Sequence, residues 1–184
     1  MPAKFASSYI PTGGAQVSRT VDALSWVFNS RPQAMTVYVK FIETGAVKNY
    51  AGGTTIIQLG SGNASHGYGP RFFVVPNSAT SYLYRAGYHN GTAGVTSTLA
   101  TGPAIGNVVE LRATLSAAGV VRLHQTINGA AETSATASSA QALKQTWGSS
   151  ALILNNHMAW LAIHVERGIH DLATMRQLAG VNKK

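Results

Sequence analysis

Apolar residues along this chain recur at every second position, seldom at every third or fourth. In residues 35–42, MTVYVKFI, the side chains of Met35, Val37, Val39 and Phe41 fall on one side. In 108–115, VVELRATL, Val109, Leu111, Ala113 and Leu115 alternate with Glu110, Arg112 and Thr114. Over 120–127 the pattern returns with Val121, Leu123 and Ile127. A period of two belongs to an antiparallel strand with one face in a core and the other toward water. Apolar stretches at 54–60, 71–75, 81–88, 151–154 and 159–166 predict further strands. The breaks between them are turn chemistry: SAAG at 116–119 predicts a short hairpin, and Asn128-Gly129 supplies the positive φ angles of a tight turn. Residues 129–146 are small and polar and predict a weak strand followed by a surface loop. Many short strands separated by Gly, Asn and Ser indicate a sandwich or a barrel.

One segment departs from this period. In 170–179, HDLATMRQLA, Leu172, Met175 and Leu178 stand at helical spacing. His170 or Asp171 can cap the start and Gly180 can end it. The expectation is a single short helix against an edge of the sandwich.

Composition narrows the picture. The chain has 184 residues, the size of one domain, and only 11% of them are charged, against an ordinary level of about 25%. Its formal net charge of +8 arises from scarce acids: six Asp and Glu face fourteen Lys and Arg. The basic residues are scattered rather than gathered on one face, which argues against nucleic acid as a partner. Anionic glycans, or acidic patches on a neighbouring subunit, suit dispersed charge equally well. Without cysteine there is no disulfide and no thiolate metal site. No run of about 18 apolar residues is present to insert in a membrane, and residues 1–20 carry no apolar core of a secretory signal.

The opening stretch 7–26, SSYIPTGGAQVSRTVDALSW, resembles the first segment of concanavalin A-like, laminin G-like domains found in bacteriophage structural proteins. The resemblance continues in order along the chain. TTIIQLGSG (54–62) looks like an early strand of such domains. NVVELRATLSAAGVVRLHQTING (107–129) looks like their central hairpin, and AWLAIHVERGIHDLATMRQL (159–178) like their closing strand and helix. Two departures stand out: the closing helix lacks the usual acidic residue, and His124-Gln125-Thr126 replaces a more apolar strand end. The resemblance implies an all-β, two-sheet antiparallel jelly-roll sandwich with one short C-terminal helix. Residues 1–30 would form an arm and first strand of the same domain, 31–180 the sandwich, and 181–184 a basic tail. Tyr9 and Trp26 would tie that arm onto the sandwich. It also implies a virion surface protein, made in the host cytoplasm and released by lysis.

Candidate chemistry is sparse. Glycan-hydrolysing relatives of this fold carry a Glu-x-Asp-x-x-Glu strand, because two carboxylates must flank the scissile bond. Here no two acids stand closer than five positions, so no catalytic residue is named. The glycine-rich LGSGNASHGYGP (59–70) lacks the Lys-Ser/Thr and the following helix of a phosphate cradle, and reads as a loop between strands. The six histidines form no ligand spacing, and two aspartates are too few for a charged calcium cage, so neither metal nor cofactor is expected. What remains is aromatic and polar: Tyr82, Tyr84, Arg85, Tyr88, His89 and Asn90 in SYLYRAGYHNG (81–91), with Tyr68 nearby in sequence. Tyrosine rings suit a core, a subunit interface or a stacked sugar alike. The leading expectation is a non-enzymatic virion component, in a capsid decoration, head fibre, tail fibre or baseplate. It would act by self-association into a homo-oligomer and by docking to other virion proteins, with a host surface glycan as a further partner. A stand-alone carbohydrate-binding module is the alternative, and a glycan hydrolase the remote one.

Overall fold

A computed structural model describes residues 34–44, 56–60, 70–78, 81–143, 153–154 and 159–181. The strands are β1 (Met35–Ile42), β2 (Ile57–Gly60), β3 (Pro70–Ser78), β4 (Ser81–Asn90), β5 (Gly94–Thr98), β6 (Val108–Leu115), β7 (Val121–Ile127), β8 (Thr133–Thr136), β9 (Ile153–Leu154) and β10 (Ala159–Arg167). They are followed by helix α1 (Leu172–Leu178). They form two five-stranded antiparallel sheets. Sheet A runs β10-β1-β6-β7-β8, and sheet B runs β5-β4-β3-β2-β9.

The alternation read from the sequence places the core. Val37, Val39 and Phe41 of β1, Val109, Leu111, Ala113 and Leu115 of β6, and Val121 and Leu123 of β7 face inward from sheet A. Ile57, Leu59, Phe72, Val74, Tyr84, Ala86, Tyr88, Val95 and Leu99 meet them from sheet B. The β6–β7 hairpin closes as expected at 116–119. Gly119 takes φ 76°, and the Ser116 hydroxyl accepts the Val120 N–H at 3.1 Å. Asn128 and Gly129 both have positive φ, and the Ala130 N–H reaches the Ile127 carbonyl across them. Those are the two left-handed positions of a type I′ turn. Strand β10 carries a bulge: Phe41 pairs with Trp160 and Lys40 with Ala162, which leaves Leu161 unpaired and exposed at the sheet edge.

Two expectations need correction. The first is that Glu110, Arg112 and Thr114 would look into water; all three are buried, so β6 is covered on both faces. The second concerns what covers them. Helix α1 lies not against an edge but over the outer face of sheet A, where Arg176 reaches Glu110 on the central strand β6. Asp171 caps α1 by accepting the Thr174 N–H at 2.8 Å, and Gly180, at φ 73°, ends it. Met175 is its one buried residue, while Leu178 is exposed. The 1–30 arm with Tyr9 and Trp26, the loop at 61–69 and the 182–184 end of the basic tail lie outside the described residues.

Candidate functional site

Strand β4 carries most of the sequence candidates, and its pleat divides them. Even-numbered positions point inward. Tyr84 is 1% exposed and Tyr88 is fully buried. The Tyr84 ring meets Phe41 edge-on, with centroids 5.7 Å apart and planes at 78°, and its hydroxyl donates to the buried Glu43 carboxylate. Tyr88 stands between Phe72 and Val95 in register. Neither ring offers a face for a sugar or a neighbouring subunit. Of the uses open to these two tyrosines, the interior is the one realised. Tyr82 lies on β4, but its side chain is outside the described part, as is all of Tyr68.

Asn90 is taken up by the turn. Its Oδ1 accepts the N–H groups of Thr92 and Ala93, both at 2.9 Å, and its Nδ2 donates to Gln141 Oε1 at 3.3 Å. It closes the β4–β5 connection and ties it to the segment after β8. Arg85 and His89 occupy odd positions and look outward from sheet B. The His89 Nδ1 accepts the Gly91 N–H at 3.0 Å.

The register assembles a site around these two that the sequence reading missed. Across the outer face of sheet B one row runs Thr98–Arg85–Val75, and the next runs Thr96–Gly87–Phe73–Gln58. The far end of the Phe73 ring lies over Gly87: a Cβ there would stand 2.4 Å from its Cζ. Glycine at 87 is what lets the ring lie against the sheet. Thr96 and Thr98 are exposed beside it, and Arg85 holds a buried Nε–H with no hydrogen-bond partner among the described residues. An aromatic ring, a guanidinium and two exposed hydroxyls stand together on this face, groups of the kind that recognise a polyhydroxylated ligand. The ring suits the C–H face of a sugar, and the others suit its hydroxyls. A lone glycine inside a strand was the signal that could have found it.

The acids are engaged elsewhere. On the outer face of sheet A, Glu110 receives the Tyr38 hydroxyl at 2.6 Å and Arg176 Nε and Nη2 at 2.7 and 3.0 Å, with Lys40 Nζ at 3.4 Å. Burial alone would push the Glu110 carboxyl up. The Arg176 and Tyr38 hydrogen bonds, with the charges of Lys40 and Arg176, outweigh burial and hold it below its ordinary value. Burial, then the Glu110 carboxylate, drives the Tyr38 hydroxyl upward in turn. Beside this network Arg112 grips Glu132 with two bonds, at 3.1 and 2.8 Å, and His124 Nδ1 stands 3.3 Å from the same carboxylate. Burial, with the Arg112 charge, pushes the His124 imidazole down. A glycoside-cleaving acid needs a raised carboxyl, and Glu110 is the reverse. Among the described residues no three His, Asp or Glu side chains come together to hold a metal ion, and no helix is long and apolar enough to cross a membrane.

Among the described residues, the two sheets, their antiparallel order and the one helix fix the fold. It is a concanavalin A-like jelly-roll sandwich. No protein-family model matches the chain, and no curated protein matches it. Its likeness is to solved structures. One is the full-length tailspike protein 2 of an Escherichia coli O157:H7 bacteriophage, with a TM-score of 0.56 at 11% identity over 83% of this chain. A second is the enzymatically active domain of bacteriophage CBA120 tailspike protein 2, with a TM-score of 0.54 at 10% identity over 83% of this chain. The chain spans 22% and 25% of the lengths of these two tailspike chains. The mouse laminin alpha1 chain, domains LG4-5, gives a TM-score of 0.49 at 10% identity over 79% of this chain and 39% of its own. Identities this low establish a shared fold.

Proposed function

We propose that this chain is a non-enzymatic surface module of a bacteriophage virion that binds a host glycan through the outer face of sheet B. The observation that carries the glycan part is the row of Arg85 and the exposed Thr98 and Thr96 beside the Phe73 ring on the outer face of sheet B. Ring and donors occupy adjacent rows of one rigid sheet, which holds a ligand-facing set in place without a long loop. The virion setting is supported by the tailspike likeness in fold, and the non-enzymatic character by the commitment of Glu110 and Glu132 to arginine partners. Docking to other virion proteins and assembly into a homo-oligomer complete the reading. The charge of +8 on so few acids favours an acidic polysaccharide as the glycan.

The test is a glycan array probed with the full chain and with Arg85→Ala. Retention of host surface polysaccharide by the parent, lost in the variant, is expected. Equal retention by both, or none by either, rejects the sheet B site. Native mass spectrometry of the same samples distinguishes an assembling virion part from a stand-alone carbohydrate-binding module, which would stay monomeric. Release of reducing ends from the bound polysaccharide would overturn the non-enzymatic part.

A further inference from the structure

The fastening of the C-terminal segment to sheet A differs in kind from the packing between the two sheets. Residues 168–181 are held by polar bonds almost alone. Arg176 makes two bonds to Glu110. Arg112 Nη1 donates to the His170 carbonyl at 2.9 Å. The Thr36 hydroxyl donates to the Gly168 carbonyl at 2.8 Å and accepts the His170 N–H at 3.0 Å. Met175 is the single buried apolar side chain of the segment, while Ile169 and Leu178 are exposed. A helix of seven residues is far below the length that is stable by itself, so α1 is ordered only while it is fastened.

The surface beneath is prepared for the segment to leave. It is made of Thr36, Tyr38, Lys40, Glu110, Arg112 and Thr114, each of which carries a polar group that water can solvate. The anchors on the sheet also keep partners of their own. When Arg176 departs, Glu110 retains the Tyr38 hydroxyl and Lys40. When the His170 carbonyl departs, Arg112 retains its two bonds to Glu132. Opening therefore leaves no orphaned charge and uncovers Met175 and the Tyr38 ring, whereas separating the sheets would expose the whole core.

We infer that residues 168–181 are a strap that unfastens from the outer face of sheet A as a unit while the sandwich stays folded. This device is on the sheet opposite the proposed glycan site and does not depend on it.

Hydrogen exchange read by mass spectrometry on the full chain tests the strap. Arg176→Met keeps the length of the side chain and removes the latch. Exchange of peptides from 168–181 should quicken at least about tenfold, with β6 and β7 changing by less than about twofold. Glu110→Gln, which keeps the shape of the carboxyl, should act in the same selective direction. Unchanged exchange in the strap would overturn the inference. So would acceleration of strap and strands by a common factor, or loss of the folded sandwich in Arg176→Met, since each makes α1 part of one cooperative core.

Discussion

Single residues show where backbone geometry, rather than side-chain choice, decides stability. Gly119, Gly106 and Gly129 all have positive φ, yet their surroundings differ. A Cβ on Gly119 would stand 1.7 Å from the Gln141 carbonyl oxygen, whereas at Gly106 and Gly129 it would meet nothing within 4 Å. Gly129→Ala should therefore cost about 1 kcal/mol, the strain of the left-handed region alone. Gly119→Ala should cost at least about 3 kcal/mol, because the backbone at Gln141 must move as well. Urea denaturation of the two variants checks the ordering. Gly87→Ala belongs with them: it drives a methyl group into the Phe73 ring, and should both destabilise the fold by ~1–3 kcal/mol and weaken glycan retention. At this scale the sequence was more legible than the candidate residues suggest. In 81–91 the tyrosines sit at even positions and Arg85, Gly87 and His89 at odd ones. The polar set had to face outward, so Tyr84 and Tyr88 had to face inward. Phe73 could not be found this way, because its partner Gly87 lies on another strand and only the register brings them together.

At the scale of elements, period and turn chemistry located β1, β6, β7 and the helix, since each has strong apolar positions and recognisable ends. Strand β5 was not foreseen. Only Val95 within it is a large inward apolar residue, and the inward position two further on is a buried serine, Ser97. A short hydroxyl-rich edge strand has the composition of a loop. The place of α1 was also hidden, because what draws the helix over sheet A is an ion pair between Arg176 and a residue 66 positions earlier. That pair gives acid sensitivity a definite sign. The Glu110 carboxyl ionises below its ordinary value of 4.5 in the folded chain, and near that value when unfolded. Its contribution is therefore complete above about pH 4.5 and is lost as pH falls through the lower folded value. In Glu110→Gln the fastening of 168–181 should be weaker than in the parent at neutral pH by about 1–3 kcal/mol, with the gap closing as pH falls from 4.5 through the lower folded value. Hydrogen exchange of 168–181 in both proteins across that range measures it. A gap that stays constant with pH would show that the charge of Glu110 is not what matters.

Across the whole molecule, fold and function part company. The fold follows from the order of alternating strands, and the same sandwich recurs at 11% identity in a phage tailspike chain of which it spans 22%. The function depends on which face of which sheet carries ligand groups, and that is set by a few side chains the fold does not dictate. The two sheets here present opposed outer faces of different character. Sheet A buries its polar groups beneath α1, and sheet B carries half-buried Arg85 and exposed Thr96 and Thr98 beside an aromatic ring. Binding and fastening should therefore separate by mutation. Arg85→Ala should abolish retention of an acidic polysaccharide and leave exchange of 168–181 unchanged, while Arg176→Met should do the reverse. Salt supplies a second axis. If the excess of fourteen basic over six acidic residues draws the polysaccharide, retention should fall severalfold between about 50 and about 300 mM salt, as screening shortens. A neutral glycan held by Phe73 and hydroxyl contacts would be insensitive over the same range. Surface plasmon resonance with both variants and both salts distinguishes the cases. Retention that resists salt, yet is lost in Arg85→Ala, would keep the site on sheet B and replace the acidic polysaccharide with a neutral one.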